Sequence, residues 1–579
     1  MPATTPSPPK PAVPANPASG SRRASVQEKR STLFWAVVAA GAIAAIVAVP
    51  IVFVGASVFT ASGDLWQHLA TTVLGEYLRN SVLLAVGVGA GVLAIGVGCA
   101  WLTSMCRFPG SRCFEWALLL PLAAPAYLLA YTYTNLLDYF GPVQVTLRRV
   151  FGWQTIADYW FPEVGGVGGA VAMLAIVLYP YVYLLSRVAF LEQSVCALEA
   201  SRSMGCNPWR SFFTVALPLA RPSIAAGLAL ALMETLGDFG TVQYFGVSTF
   251  TTGIYRTWFG LGNRPAAAQL ATVLMAFVLM LIVIERLARH RARYFQATNR
   301  YQSLPRYELN WWRSLLAILA CSLPVLLGFA VPTGYLAYLT ATNAAETIDS
   351  SFWELSRHSL LLAAIAAIAA LVLALLLAYG QRLQSQESPQ GALQWGIRVA
   401  AMGYAIPGTV IAVGVLIPLG QFDNAIDGWM RSHFNISTGL LLSGTIFALI
   451  FAYLVRFLAL SFNTVESSLS KVRPSLDDAA RSLGCGTLET LVRVHIPTIG
   501  GGLLAAMMLV FVEVMKELPA TLVIRPFNFD TLAVRVYQYA SDERLVEASA
   551  PALALVVAGI LPVIFLSFKL ARSRPGIRT

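Results

Sequence analysis

The sequence predicts an all-α polytopic membrane protein, with about twelve transmembrane helices in two parallel six-helix repeats related by a pseudo-twofold axis. Three observations predict it. Hydrophobic residues make up 57% of the chain and charged residues 12%, against roughly 25% charged in soluble domains. Too little polar surface remains to cover a water-soluble globule. Many apolar runs exceed the roughly 18–20 residues a helix needs to cross a bilayer. Finally, a block of sequence recurs: residues 199–205 read Glu-Ala-Ser-Arg-Ser-Met-Gly, and 478–484 read Asp-Ala-Ala-Arg-Ser-Leu-Gly. The offset of 279 residues holds without a gap for sixty positions, pairing Arg202 with Arg481, Glu234 with Glu513 and Thr252 with Thr531. No solenoid repeat has so long a period. Half the protein is duplicated.

In order, residues 1–32 read as a disordered cytoplasmic tail, rich in Pro, Ala and Ser without an apolar period. The first repeat covers 33–285, with spans near 33–57, 79–102, 115–137, 166–187, 223–245 and 266–285. Residues 286–313 form a basic linker, with Trp311 and Trp312 at the depth of an interfacial belt. The second repeat covers 314–570, with spans near 314–338, 358–380, 398–419, 438–462, 500–523 and 546–570, and 571–579 is a tail. The first run is too long for a signal-peptide core and reads as an uncleaved anchor. Six spans per copy give both halves the same orientation. Asn80-Ser81 at the second span echoes His358-Ser359 at the eighth, and Pro125 in the third echoes Pro407 in the ninth.

The net charge of +11 concentrates in the N-terminal tail, in 286–313 and at the C-terminus, while loops 58–78 and 420–437 hold almost none. That asymmetry places both termini and both repeated blocks in the cytoplasm. It is the ordinary charge pattern of a membrane protein and gives no sign of a nucleic-acid partner. All seven cysteines fall in spans or cytoplasmic loops, so no disulfide framework is implied. No C-x-x-C occurs.

Each repeated block reads as a short helix, a Gly break (Gly205, Gly484), a second helix and a Pro (Pro218, Pro497) opening the next span. In the second copy Ser475 is the expected N-cap, with Asp477 and Asp478 favouring the helix dipole. Small residues at Ala200, Ser201, Ala479 and Ala480 leave one face bare for a partner. An amphipathic hairpin lying on the membrane would share these features, but it does not explain why the loop outlasts most of the spans between the copies. Glu199-Ala200-Ser201 with Gly205, and Asp478-Ala479-Ala480 with Gly484, resemble the EAA loop of ABC importer permeases. In that family the loop is the coupling helix that docks on a cytoplasmic ATPase; Asp478 departs from the pattern in standing where the family has Glu. None of the five lysines follows a Gly, so no phosphate-binding loop exists here, and ATP belongs to a partner ATPase. The chain itself carries no cofactor and no catalytic residue.

Glu234 and Asp238 fall in the fifth span, and Glu513, Lys516 and Glu517 in the eleventh. The i, i+4 spacing predicts each acid pair on one helical face. A carboxylate at that depth costs roughly 2.5–3.5 kcal/mol on insertion scales, so it faces the bundle interior or water. Two roles are open. The acids pair with Lys516 or cap backbone freed at breaks near Gly237 and Pro519, or they line the path of a cation, for which oxygen ligands are suited. The Glu513–Lys516 spacing argues against a permanent metal cage, leaving Glu234 and Glu513 as transient metal contacts.

The fused two-by-six layout, with Lys516-Glu517-Leu518-Pro519 leading to Arg525-Pro526 and Phe529-Asp530-Thr531, resembles the ferric-iron permease subfamily. Permeases for thiamine, aminoethylphosphonate, phosphorylated sugars and polyamines share that layout. The resemblance implies an importer in the bacterial inner membrane, fed by an extracytoplasmic substrate-binding protein. Two ATPase copies would dock at Glu199–Gly205 and Asp478–Gly484. An ion-gradient transporter would also suit intramembrane acids, but gives no reason for two matched docking loops. Without H-E-x-x-H or G-x-S-x-G, and with five scattered histidines, an intramembrane enzyme has no motif to stand on. His495 reads as a loop residue opposite Ala216.

Overall fold

A computed structural model describes residues 38–60, 64–192, 207–290, 307–385, 397 and 402–572. Among these, eleven helices are long and apolar enough to cross a membrane, or twelve when the pair Ser111–Ala123 and Ala126–Phe151, bent by 88°, is counted as one broken span. They follow in the predicted order. The first repeat holds Val38–Phe59, Leu74–Met105, the bent pair, Gly166–Leu191, Trp209–Gly237 and Arg264–Leu287. The second holds Trp311–Thr342, Ser350–Leu383, Gly408–Phe434, Ile446–Leu469, Thr487–Lys516 and Leu545–Pro562. A two-residue parallel pairing of Cys106–Arg107 with Tyr307–Glu308 ties the end of the second span to the approach of the seventh.

The same three helices pack together in each half: spans two, four and five, and spans eight, ten and eleven. Small residues allow the closest approach. Gly87, Gly91 and Gly96 set bare backbone against Val171, Ala175 and Val182, and a methyl added at Gly96 would lie 2.8 Å from Val182 Cβ. In lipid, where apolar burial alone does not drive helices together, such contacts carry the association. Between halves the packing crosses over. The sixth span lies on the ninth, and the twelfth lies on the third.

Proline explains where boundaries depart from the sequence reading. The ninth helix starts at Gly408 rather than near 398, after a single turn Gly403–Ala405. The third span breaks in the same way, between the turn Leu120–Ala123 and the helix Ala126–Leu137. Pro125 and Pro407 lack an N–H, and their rings force the preceding Ala124 and Ile406 to extended ψ of 131° and 129°. Pro218 and Pro497 behave differently. They do not open the fifth and eleventh spans but lie inside helices that begin at Trp209 and Thr487. A π turn just before each, Phe212–Ala216 and Leu491–His495, widens the helix where the proline cannot donate. The sixth helix also runs on to His290, past the expected boundary at 285.

Candidate functional site

The fifth and eleventh helices stop at Gly237 and Lys516, and the short helices Gly240–Tyr244 and Pro519–Ile524 follow. The breaks fall where the sequence reading put them, and they correct the face argument. Asp238 and Glu517 are extended residues (ψ 134° and 117°) beyond the helix ends, not one turn further along the same face. Each carboxylate satisfies backbone freed by its break. Asp238 accepts from Thr241 N at 3.0 Å and Val242 N at 3.1 Å, and Glu517 accepts from Ala520 N at 2.8 Å. The carbonyls at the two breaks are matched as well: Thr251 Oγ1 donates to Asp238 O at 2.7 Å, and Thr521 Oγ1 to Glu517 O at 2.8 Å.

All five intramembrane ionisable residues singled out from the sequence, Glu234, Asp238, Glu513, Lys516 and Glu517, line one cavity of about 110 Å³. The turns before Pro125 and the helix breaks form its walls, and Tyr127 and Tyr181 line it too. Arg456, in the middle of the tenth span, is the member that sequence reasoning missed. Its Nη1 lies 2.6 Å from Glu517 Oε2, with both side chains under a tenth exposed. The signal was present, since Arg456 is a lone cation inside the apolar run Phe451–Leu460, and such residues mark pathways by default. Gly408 makes room for this pair: a methyl there would stand 2.6 Å from Glu517 Oε1 and closer still to Arg456 Nη1. Lys516 Nζ sits 3.2 Å from Glu513 Oε1 and 3.4 Å from Leu122 O. Glu234 has no ion-pair partner among the described residues. Four carboxylates thus face two cations. Among the described residues no three His, Cys, Asp or Glu side chains converge closely enough to hold a metal ion.

In the first copy Glu199, Ala200, Ser201 and Gly205 lie outside the described residues. In the second, the helix Pro474–Ser482 begins one residue before the expected cap, so Ser475 sits inside its first turn. Gly484 ends it at φ +87°, a left-handed geometry that favours glycine, with Leu483 N bonded to Ala479 O and Cys485 N to Ala480 O. Asp478 and Ala479 face outward, as do Leu476 and Leu483, whereas Ala480 is buried. That leaves a narrow apolar stripe flanked by a carboxylate. Asp477 does more than favour the helix dipole, because it is buried against Arg382 and His495. His495 is a buried helical residue and not a loop residue.

A family model described as the binding-protein-dependent transport system inner membrane component matches residues 34–293. The Fe(3+)-transport system permease protein FbpB 2 of Haemophilus influenzae is 26% identical over 501 residues, covering 85% of this chain and 90% of the relative. The molybdenum transport system permease protein ModB of Escherichia coli is 30% identical over 212 residues, 34% of this chain and 88% of the relative. A probable ABC transporter permease protein, y4fN of Sinorhizobium fredii, is 24% identical over 525 residues, 86% of this chain and 88% of the relative. With a duplicated helical unit, a cavity between the copies and these relatives, the chain belongs to the binding-protein-dependent inner-membrane components: it is the multi-pass permease of an ABC importer, not an enzyme, and ATP is handled by its partner ATPase.

Proposed function

We propose that this permease carries ferric iron through the cavity between its repeats. The observation that carries the reading is the balance of four carboxylates against two cations, with Glu234 lacking an ion-pair partner among the described residues. Hard oxygen ligands suit a trivalent cation, and a surplus of negative charge lowers its entry barrier. Names of ferric-transport permeases recur among relatives that align with 76% to 85% of this chain. Glu234 and Glu513 would meet the cargo in passing, while Asp238, Glu517 and Lys516 hold the gate. Both termini would lie in the cytoplasm, with one ATPase copy at Glu199–Gly205 and a second at Asp478–Gly484. ATP binding would then draw the two docked loops together and switch the cavity between its inner and outer openings.

The test is uptake of radioactive ferric iron by proteoliposomes holding this chain, its ATPase and its binding protein. ATP-dependent accumulation that Glu234→Gln reduces by about a hundredfold supports both cargo and path; such a loss corresponds to about 2.7 kcal/mol of pathway stabilisation. The similarity of one third of the chain to molybdenum permeases favours a second reading, an oxyanion cargo drawn by Arg456 and Lys516. ATP-driven uptake of molybdate or another substrate, with iron ignored, keeps the importer and removes iron.

A further inference from the structure

The second coupling helix is tied to the membrane helices by one buried carboxylate. Asp477 Oδ2 accepts from Arg382 Nε at 3.1 Å and Nη2 at 2.9 Å, and its Oδ1 lies 2.5 Å from His495 Nε2. Arg382 also donates to Leu469 O at 2.7 Å and Val472 O at 3.0 Å. These residues come from different elements. Arg382 ends the eighth span, Leu469 ends the tenth, and His495 closes the π turn inside the eleventh. Tyr379 packs edge-on against His495 with ring centroids 5.5 Å apart, and its hydroxyl donates to Thr487 O at 2.7 Å.

The first repeat lacks these residue types at the corresponding positions. The 279-residue offset puts Leu198 opposite Asp477 and Ala216 opposite His495, and the pairing of Asn80 with His358 puts Ser104 opposite Arg382. Trp101, opposite Tyr379, instead packs on Phe212 at 4.8 Å and Phe190 at 5.6 Å. Charge-assisted hydrogen bonds fix direction and distance, while apolar contacts tolerate sliding. A buried ion pair is weak evidence for stability, because desolvation offsets its attraction. Its most distinctive contribution is geometric.

We propose that Asp477 is a positioning residue that makes the second coupling helix move as one body with spans eight, ten and eleven. A push at Asp478–Gly484 reaches the helix bearing Glu513 through directional bonds. This rests on the docking reading of Asp478–Gly484.

The test reads motion and not cargo. Spin labels replace the exposed Arg149 and Ser432, on the face opposite the coupling loops, in a cysteine-free background of the full complex. Pulsed distance measurements are taken with and without ATP, beside ATP hydrolysis and ATPase co-purification. Asp477→Asn is expected to retain hydrolysis and co-purification while the fraction shifted by ATP falls about tenfold, the scale of an inter-site coupling. Asp477→Glu is expected to restore most of the shift. His495→Ala leaves the Arg382–Asp477 pair in place and is expected to reduce the shift as well, which covers an Asp477→Asn chain that does not assemble. An unchanged shift in both variants overturns the proposal, as does loss of hydrolysis in step with lost co-purification. If the parent complex shows no ATP-driven shift, or Asp478→Lys binds the ATPase undiminished, the docking reading falls and the proposal with it.

Discussion

At the scale of single residues, the Arg456–Glu517 pair sets the shape of the cavity more than the stability of the fold. Both groups are buried, and Glu517 is also committed to Ala520 N. Removing one partner leaves an unpaired buried charge, so Arg456→Ala is expected to lower stability by about 3–5 kcal/mol, measurable as a loss of unfolding free energy in detergent. The double variant Arg456→Met, Glu517→Gln is expected to lose less than the single one. Gly408→Val pushes a side chain into the same space and is expected to abolish uptake while the inserted chain still purifies as a monodisperse peak. The acids were legible in the sequence because carboxylates are rare in apolar runs and these recur at one offset. Arg456 has Val177 opposite it and so lay outside the repeat pattern that drew attention to the others.

At the scale of elements, the second copy of the repeated block turns at Gly484 as the sequence reading expected. Gly484 has φ +87° with open space around it, so a side chain there meets backbone strain and no clash. A β-branched residue in that geometry costs roughly 1–2 kcal/mol, enough to reorient the residues after the helix Pro474–Ser482 and too little to unfold the membrane bundle. Gly484→Val is therefore expected to abolish uptake and weaken ATPase co-purification, with membrane insertion unchanged on a protease-protection gel. Proline was read less well. Pro218 and Pro497 looked like helix openers, yet π turns carry the helix through them; Pro125 and Pro407 looked internal, yet they end one turn and begin a helix. Apolar residues stand on both sides of each proline, and the backbone geometry separates the two outcomes.

At the scale of the whole molecule, the two halves are interlocked and not merely joined. The sixth span packs on the ninth and the twelfth on the third, so each half covers a face the other leaves bare. One relative is aligned over 212 residues that make up 88% of it, so it is the size of a single unit. Halves cut within 291–306 and produced together are therefore expected to co-purify and to restore ATP-dependent uptake. Either half alone is expected to do neither, as read by affinity pull-down and uptake.

Composition, apolar run length and the 279-residue repeat were enough to establish a helical membrane protein of eleven to twelve spans in two parallel units, because hydropathy and repetition are written along the chain itself. The convergence of Glu234, Asp238, Glu513, Lys516 and Glu517 with Arg456 on one cavity is a tertiary fact. So is the tie from Asp477 to Arg382, 95 positions away, and to His495, 18 positions away. Hydropathy records how deep a side chain lies and not which neighbour it faces. In a low-dielectric interior that neighbour decides whether a carboxylate caps a helix end, balances a guanidinium or stands open toward the path.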